Sequence, residues 1–127
     1  MIREKQLISS ILGPIRGDTK PFVCAVCRAK KMMFSDHVSM EDILLVRDIY
    51  SDVAKEVDRS LSATMRQIER IANRCFDSMD GEQKQKYIGR EIRQLNSPGQ
   101  MVYYLAFYSQ FGESYYEVIE KHPEILF

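Results

Sequence analysis

Apolar residues recur every three or four positions along most of the chain, the spacing that places them on one face of a helix. This pattern predicts a helix over residues 2–12, which Gly13 and Pro14 end, and a second helix over 20–34 with basic residues near its C-terminal end. The residues between them, "IRGDT", read as a loop. No stretch shows the strict alternation of a half-buried strand. The pattern therefore predicts an all-α fold.

The segment 39–57 continues the helical period. Ser39 is a typical N-cap residue, and acidic residues follow it in the first turn. Its apolar positions form a sustained stripe made of Ile43, Val46, Ile49, Tyr50, Val53, Ala54 and Val57. This stripe fits one long helix or two helices joined near residues 48–51.

A turn after Asp58 leads into a helix from about Ser62 to Phe76. Its apolar residues Met65, Ile68, Ile71, Ala72 and Cys75 define an inward face, and its arginines Arg66, Arg70 and Arg74 define an outward face. Asp80 and Gly81 mark another turn, and the short helix that follows ends near Gly89.

The stretch "SPGQ" at 97–100 predicts the start of a helix, with Ser97 as N-cap, Pro98 at the first helical position and Gln100 reaching back in a capping box. This helix is apolar or aromatic on nearly every face, so it must be buried on more than one side. Gly112 ends it, and Pro123 stops a final acidic helix. We therefore expect residues 1–127 to form one compact bundle of about six helices, with 112–127 as an additional C-terminal helix.

The chain has 127 residues, 45% of them hydrophobic, and a formal net charge of zero. The charges are nevertheless segregated: residues 1–34 carry seven Lys and Arg against two Asp and Glu, and residues 59–93 carry eight against five. A neutral total thus still permits a basic face. No apolar stretch is long enough to span a bilayer, and the N-terminus lacks the pattern of a signal peptide, so we expect a cytoplasmic protein without a membrane partner.

The three cysteines do not form a closed disulfide framework. Cys24 and Cys27 have the C-x-x-C spacing of zinc and redox sites, but only Cys75, His37 and His122 remain as further ligands, and none of them is paired at short spacing. The pair is interpreted mainly as buried packing residues, with metal or thiol sensing as the minor alternative. No nucleophile, base and orienting group form a catalytic set, and no glycine-rich phosphate loop is present, so we expect no enzyme, cofactor or metal site.

The segments around the Asp58 turn have the pattern of a helix-turn-helix, in which the second helix enters the major groove of DNA. Arginine suits base reading because its planar fork can bind the edge of a guanine with two hydrogen bonds. The alternative interpretation is a solvated arginine face that neighbouring acids balance. Lys20, Lys30 and Lys31 either extend the basic face or are themselves solvated.

Several stretches resemble the C-terminal DNA-binding domain of the sporulation master response regulator family of endospore-forming bacteria. "DIYSDVAKEVDRSLSATMRQIERIA" aligns without gaps over the family's first helix, turn and recognition helix. "YIG" at 87–89 is placed like its aromatic-apolar-glycine helix ending, and "SPGQMVYYLAFY" resembles its capped last helix. Upstream, "LISSILGPIRGDTKPFVCAVCRAKKM" is similar in its two helices and glycine loop. The resemblance covers roughly residues 7–108.

This resemblance implies a six-helix bacterial transcription regulator that binds promoter double-stranded DNA, often as tandem or head-to-tail copies. Arg66 falls on a recognition-helix arginine and is the first candidate for a base contact, together with Gln67 or Arg70. The residues expected to hold the DNA backbone are Arg59, Ser60, Ser62, Arg74 and Arg93. The phosphorylatable receiver domain of the family is not expected in this chain.

The sequence also departs from the family. Met65 and Glu69 replace a glutamate and an arginine of the reading face, and Ser51 stands where a proline is usual, so the target sequence of the family is not carried over. Glu69 would repel phosphate or read a cytosine amino group. The main alternative function is a protein-interaction module that keeps the fold without DNA binding. The many aromatics of residues 103–116 are expected mainly in the core, with a homodimer contact as the second explanation.

Overall fold

The computed structural model describes residues 3–14 and 17–126, and every regular element in those ranges is helical. Residue 2 of the first predicted helix and residues 15 and 16 of the predicted loop lie outside the described residues. The all-α prediction is confirmed. Seven α-helices lie in the described ranges: α1 (Glu4–Leu12), α2 (Lys20–Phe34), α3 (Ser51–Glu56), α4 (Leu61–Ser78), α5 (Gly81–Tyr87), α6 (Gln100–Phe111) and α7 (Tyr115–Lys121).

Helix α6 occupies the centre of the bundle. Every residue from Met101 to Ser109 is buried, as expected for a helix with apolar side chains on nearly every face. Helices α1, α2, α4, α5 and α7 all pack against it, and α2 makes the most extensive contact. Burying each large apolar side chain contributes on the order of 1.5–3 kcal/mol, so α6 supplies much of the hydrophobic stabilisation. Among the described residues, no helix is long and apolar enough to cross a membrane.

The segment before α3 differs from the prediction. Ser39 precedes only a 3₁₀ turn (Met40–Asp42), the backbone is extended at Ile43 and Leu44, and residues 45–50 form a π-helical turn that runs into α3. The Asp48 carboxylate accepts a 2.8 Å hydrogen bond from the Leu44 N–H and so fixes the start of that turn. The predicted apolar stripe is also wrong at Val46, whose side chain is 44% exposed.

The start of α6 lies two residues later than the sequence pattern predicts. The backbone carbonyls of Ser97, Pro98 and Gly99 accept i→i+3 hydrogen bonds, the tight geometry of a 3₁₀ turn, and α-helix begins only at Gln100. Ser97 is therefore not the N-cap. The Gln100 side chain does reach back, but its Oε1 accepts a 2.8 Å hydrogen bond from the N–H of Asn96.

The other helix ends agree better with the sequence. Gly112 ends α6 in the left-handed conformation, with φ 68°, where a side chain would be strained. Helix α7 ends at Lys121, and Pro123 opens a short 3₁₀ turn (Pro123–Leu126). Ser114 caps α7, since its Oγ accepts a hydrogen bond from the N–H of Glu117.

The cysteine pair is not buried as predicted. Cys24 is half-buried against the core, Cys27 is exposed, and only Cys75 is fully enclosed. The reason is that α2 packs on α6 through a neighbouring stripe of its own residues, Phe22, Ala25, Val26, Ala29 and Met33. Among the described residues, no group of three or more His, Cys, Asp and Glu side chains has the arrangement of a metal site.

Candidate DNA-binding surface

A four-residue turn connects α3 to α4, and the two helices pack against each other. Within this turn, Asp58 adopts a left-handed conformation with φ 55°, which Asp tolerates better than most residues. The N–H of Arg59 donates a 3.0 Å hydrogen bond to the carbonyl of Ala54, which closes the end of α3. Ser60 then caps α4, since its Oγ accepts a 3.1 Å hydrogen bond from the N–H of Ala63. These hydrogen bonds thus close both ends of the short turn that connects α3 to α4.

Helix α4 is strongly two-sided. Its buried side is made of Thr64, Ile68, Ile71, Ala72, Cys75 and Phe76. The exposed residues on the opposite side are Ser62, Arg66, Arg70, Asn73 and Asp77, which we call the arginine face. Among the described residues, neither Arg66 nor Arg70 has a carboxylate within ion-pair distance. Two guanidiniums one turn apart are thus exposed, and no described carboxylate pairs with them.

Two of the predicted contact residues bind the loop before α2 instead. The Arg59 guanidinium forms a 2.7 Å ion pair with the Asp18 carboxylate, and the Gln67 amide donates a 2.7 Å hydrogen bond to the Asp18 carbonyl. Gln67 is half-buried in this position, so the structure does not present it beside Arg66 and Arg70 for base reading. A hydrogen bond from the Lys20 N–H, and then the Arg59 guanidinium, hold the pKa of Asp18 below its usual range.

The remaining predicted residues lie near the two ends of α4. Ser62 is exposed in the first turn, and the exposed Arg74 has its guanidinium beside Gly17. Arg93 is exposed in the segment between α5 and α6, where it lines a shallow groove of about 240 Å³ together with Asn73 and Asp77. The groove joins the C-terminal half of the arginine face to this segment.

Glu69 and the lysines alter the expected charge of the surface. Glu69 is half-buried on the flank of α4 near Tyr50; burial chiefly raises the pKa of Tyr50 to about 12, and the Glu69 charge adds to this effect. Lys30 belongs to no basic face, because its Nζ donates hydrogen bonds to Glu4 and Ser109. Lys20 and Lys31 are exposed, and Lys31 lies 4.0 Å from Asp36.

Sequence reasoning missed Asp18. The side chain of Asp18 accepts a 3.0 Å hydrogen bond from the N–H of Lys20 at the start of α2. Its other carboxylate oxygen pairs with Arg59 in the turn before α4, and its backbone carbonyl accepts a hydrogen bond from Gln67 of α4. An Asp two residues before the first turn of a helix is a recognisable signal for the first role. Nothing local in the sequence signals the second.

Comparison of the chain with protein-family models, with curated protein sequences and with solved structures finds no match. The geometry of α3, α4 and their surroundings is therefore the basis for a functional interpretation.

Proposed function

We propose that this protein binds double-stranded DNA with α4 in the major groove and regulates transcription in a bacterium. The observation that carries the proposal is the pair Arg66 and Arg70, which are exposed on the helix after the capped turn and have no acidic partner among the described residues. An unpaired guanidinium on such a helix can form two hydrogen bonds with the edge of a guanine. The resemblance of the sequence to the sporulation regulator family also supports the proposal.

We propose different roles for the other cations. Arg74 and Arg93 lie toward the far end of α4 and are placed for contacts with phosphates, which set the register of the protein on the duplex. Ser60 and Ser62 lie at the start of α4, where backbone N–H groups also favour a phosphate. Arg59 and Gln67 brace the start of α4 through Asp18, so their contribution is to hold the helix in place.

The proposal includes no catalytic step and no cofactor. The protein acts in the cytoplasm in this scheme, and its partner is duplex DNA, bound as single, dimeric or tandem copies. Because the reading residues differ from those of the resembling family at Met65 and Glu69, we propose a target sequence of its own.

The test is fluorescence anisotropy of the full chain with a random pool of labelled duplexes. A protein that contacts about four phosphates loses roughly 100-fold in affinity between ~50 and ~200 mM salt, because bound counterions are released from the DNA. Saturable binding with such a loss supports the proposal and permits selection of the preferred sequence. A folded sample that does not bind at the lower salt contradicts it.

A second candidate function is a protein-interaction module. Four large apolar side chains are exposed among the described residues: Leu44, Val46, Leu61 and Phe111. Leu44 precedes the π-helical turn and Val46 is its second residue, and an apolar contact there would depend little on salt. Under this alternative, partner binding survives Arg66→Ala, whereas the DNA proposal requires that variant to bind more weakly.

A further inference from the structure

A small pocket lies between α6, α7 and the 3₁₀ turn that contains Met40. Its volume is about 100 Å³, and its walls are Met40, Gln100, Tyr103, Tyr104, Tyr115 and Tyr116. Pockets for drug-sized ligands measure roughly 300–1,000 Å³, so this one accommodates a group of only a few non-hydrogen atoms. None of its residues belongs to the arginine face of α4.

The tyrosine rings that line the pocket stand at steep angles to one another. Tyr115 lies edge-on to both Tyr104 and Tyr116, with centroid distances of 5.1 Å in each case and interplanar angles of 67° and 86°. The rings of Tyr104 and Tyr116 are 6.3 Å apart and tilted by 43°. Tyrosine rings in several orientations thus line one small volume, as they do in the aromatic cages that recognise quaternary ammonium groups in proteins.

A cation already lies against one of these tyrosine rings. The Arg90 guanidinium carbon lies 4.0 Å from the centroid of the Tyr116 ring. Ring faces are negative because of their quadrupole, and a cation within about 6 Å of a ring centroid is attracted to it. The environment of Tyr116 is thus compatible with positive charge.

The charge and polarity of the surroundings also favour a cation. Residues 94–127 carry four Glu and one Lys, which gives this part of the chain a negative field. No Asp, Glu, Lys or Arg lines the pocket itself. A primary ammonium is strongly hydrated, and the pocket offers no carboxylate to compensate for the water that it would lose on binding. A methylated ammonium is weakly hydrated and does not require a carboxylate.

We propose that this pocket binds a methylated ammonium group, held by cation–π contacts with Tyr104, Tyr115 and Tyr116. The group can be supplied by a small quaternary amine or by a trimethylated lysine in a peptide. The site is separate from the DNA-binding surface, so its occupancy does not depend on the function proposed above.

The chain offers a direct readout, since it has seven tyrosines and no tryptophan, and four of those tyrosines line the pocket. Tyrosine fluorescence is measured while tetramethylammonium, choline or a trimethyllysine peptide is added to the full chain. The control ligand is 3,3-dimethylbutan-1-ol, the neutral isostere of choline. We expect choline to bind at least tenfold more tightly than the neutral isostere, in line with the contribution of cation–π contacts. The relative affinities of choline and the peptide identify the source of the group.

A matched pair of variants tests the role of the rings. After burial, the Tyr116 hydroxyl is the next cause that raises the pKa of Tyr104. Tyr116→Phe and Tyr116→Leu both remove this hydroxyl, but only the second removes the ring. We expect Tyr116→Phe to bind choline within about threefold of the unsubstituted chain and Tyr116→Leu to bind about tenfold more weakly. Thermal unfolding of each variant checks that it is folded.

A third variant keeps the proposal testable if Tyr116→Leu does not fold. Arg90→Gln removes the resident cation from the Tyr116 ring, so choline binding should become tighter by severalfold. Equal binding of choline and its neutral isostere would overturn the proposal, as would unchanged affinity in both Tyr116→Leu and Arg90→Gln. Absence of binding by every ammonium ligand at millimolar concentration would also overturn it.

Discussion

The side-chain amide of Gln67 donates a 2.7 Å hydrogen bond to the backbone carbonyl of Asp18, 49 residues earlier in the chain. The carboxylate of the same Asp18 pairs with Arg59 at 2.7 Å, so one loop residue holds both the turn before α4 and the second turn of α4. The start of the proposed reading helix is therefore braced by a loop that the helix-turn-helix pattern does not include. The ion pair with Asp18 also neutralises Arg59, one of the cations that the sequence predicts to contact DNA.

Asp18→Asn should strengthen DNA binding under this proposal. The amide keeps an oxygen for the Lys20 N–H and leaves the carbonyl that Gln67 uses, but it no longer neutralises Arg59. The released guanidinium can reach a phosphate, so we expect severalfold tighter binding and a salt slope steeper by roughly 0.9. The measurement is anisotropy over a salt series. In the double variant Asp18→Asn/Arg59→Ala the gain should disappear; a gain that persists there would assign it to another cause.

Arg66→Ala should weaken binding to the preferred DNA sequence by about 1–3 kcal/mol and relax the preference at one base position. The physical reason is the loss of a two-bond contact with a base edge. Lys121→Ala is the charge-matched control, since Lys121 lies on α7 and pairs with Glu113. Binding competition with single-base mismatches measures both quantities. Equal losses in the two variants would show that only net charge matters.

Thr64→Val should stabilise the protein. Thr64 is fully buried on α4, and its hydroxyl oxygen makes no hydrogen bond within the described part of the chain. Removal of an unsatisfied buried hydroxyl at nearly constant shape should raise the free energy of unfolding by about 1 kcal/mol. Thr64→Ser keeps the hydroxyl and loses a methyl group, so it should lower that free energy by about 1 kcal/mol. Urea unfolding with unchanged m-values measures both variants, and a destabilised Thr64→Val would reveal a hidden hydrogen bond.

Glu4 should make stability sensitive to acid. Burial alone would raise the pKa of Glu4, but hydrogen bonds from its own backbone N–H, from Lys30 and from Ser109 outweigh it and lower the pKa below 4.5. The ionised carboxylate therefore stabilises the native state above that pH, and the contribution is lost as pH falls through the lowered native pKa. We expect Glu4→Gln to be about 1–2 kcal/mol less stable at neutral pH.

The difference in stability between the two proteins should shrink as the pH is lowered from ~5 to ~3, because protonation removes the charge of Glu4 in the unsubstituted chain as well. Other carboxylates, such as Asp18, titrate in both proteins and cancel in the comparison. Denaturant unfolding at several pH values provides the data. A difference that stays constant over this range would mean that the Glu4 charge does not contribute.

Cys27 should react slowly although it is exposed. Partial burial of the sulfur, and then the charge of Glu4, raise the pKa of the thiol to about 11 from a usual value of 9.0. At pH 8 this lowers the thiolate fraction roughly 100-fold, and the higher nucleophilicity of the more basic thiolate recovers about tenfold. We expect iodoacetamide to modify Cys27 about tenfold more slowly in the native protein than in urea. Peptide mapping by mass spectrometry separates Cys27 from Cys24 and Cys75.

The sequence by itself determined the helical class, most helix ends and the two-sided character of α4. The prediction for residues 20–34 agrees with α2, and Gly112 ends α6 as expected. These features depend on interactions within three or four residues: the apolar period, the left-handed preference of glycine and the local caps. The outward position of Arg66 and Arg70 follows from the same short-range period.

Only the tertiary structure decided how distant residues meet. Ser109 donates a hydrogen bond to Glu4 across 105 residues, and Lys30 donates to both. Lys30, for which the sequence left a basic face or a solvated position open, therefore lies in a half-buried cluster. The tyrosine-lined pocket requires the packing of α7 on α6, and the π-helical turn at 45–50 differs from the long helical stripe that the period favours. Such contacts depend on which helix faces pack together, and a local sequence pattern does not specify which faces will meet.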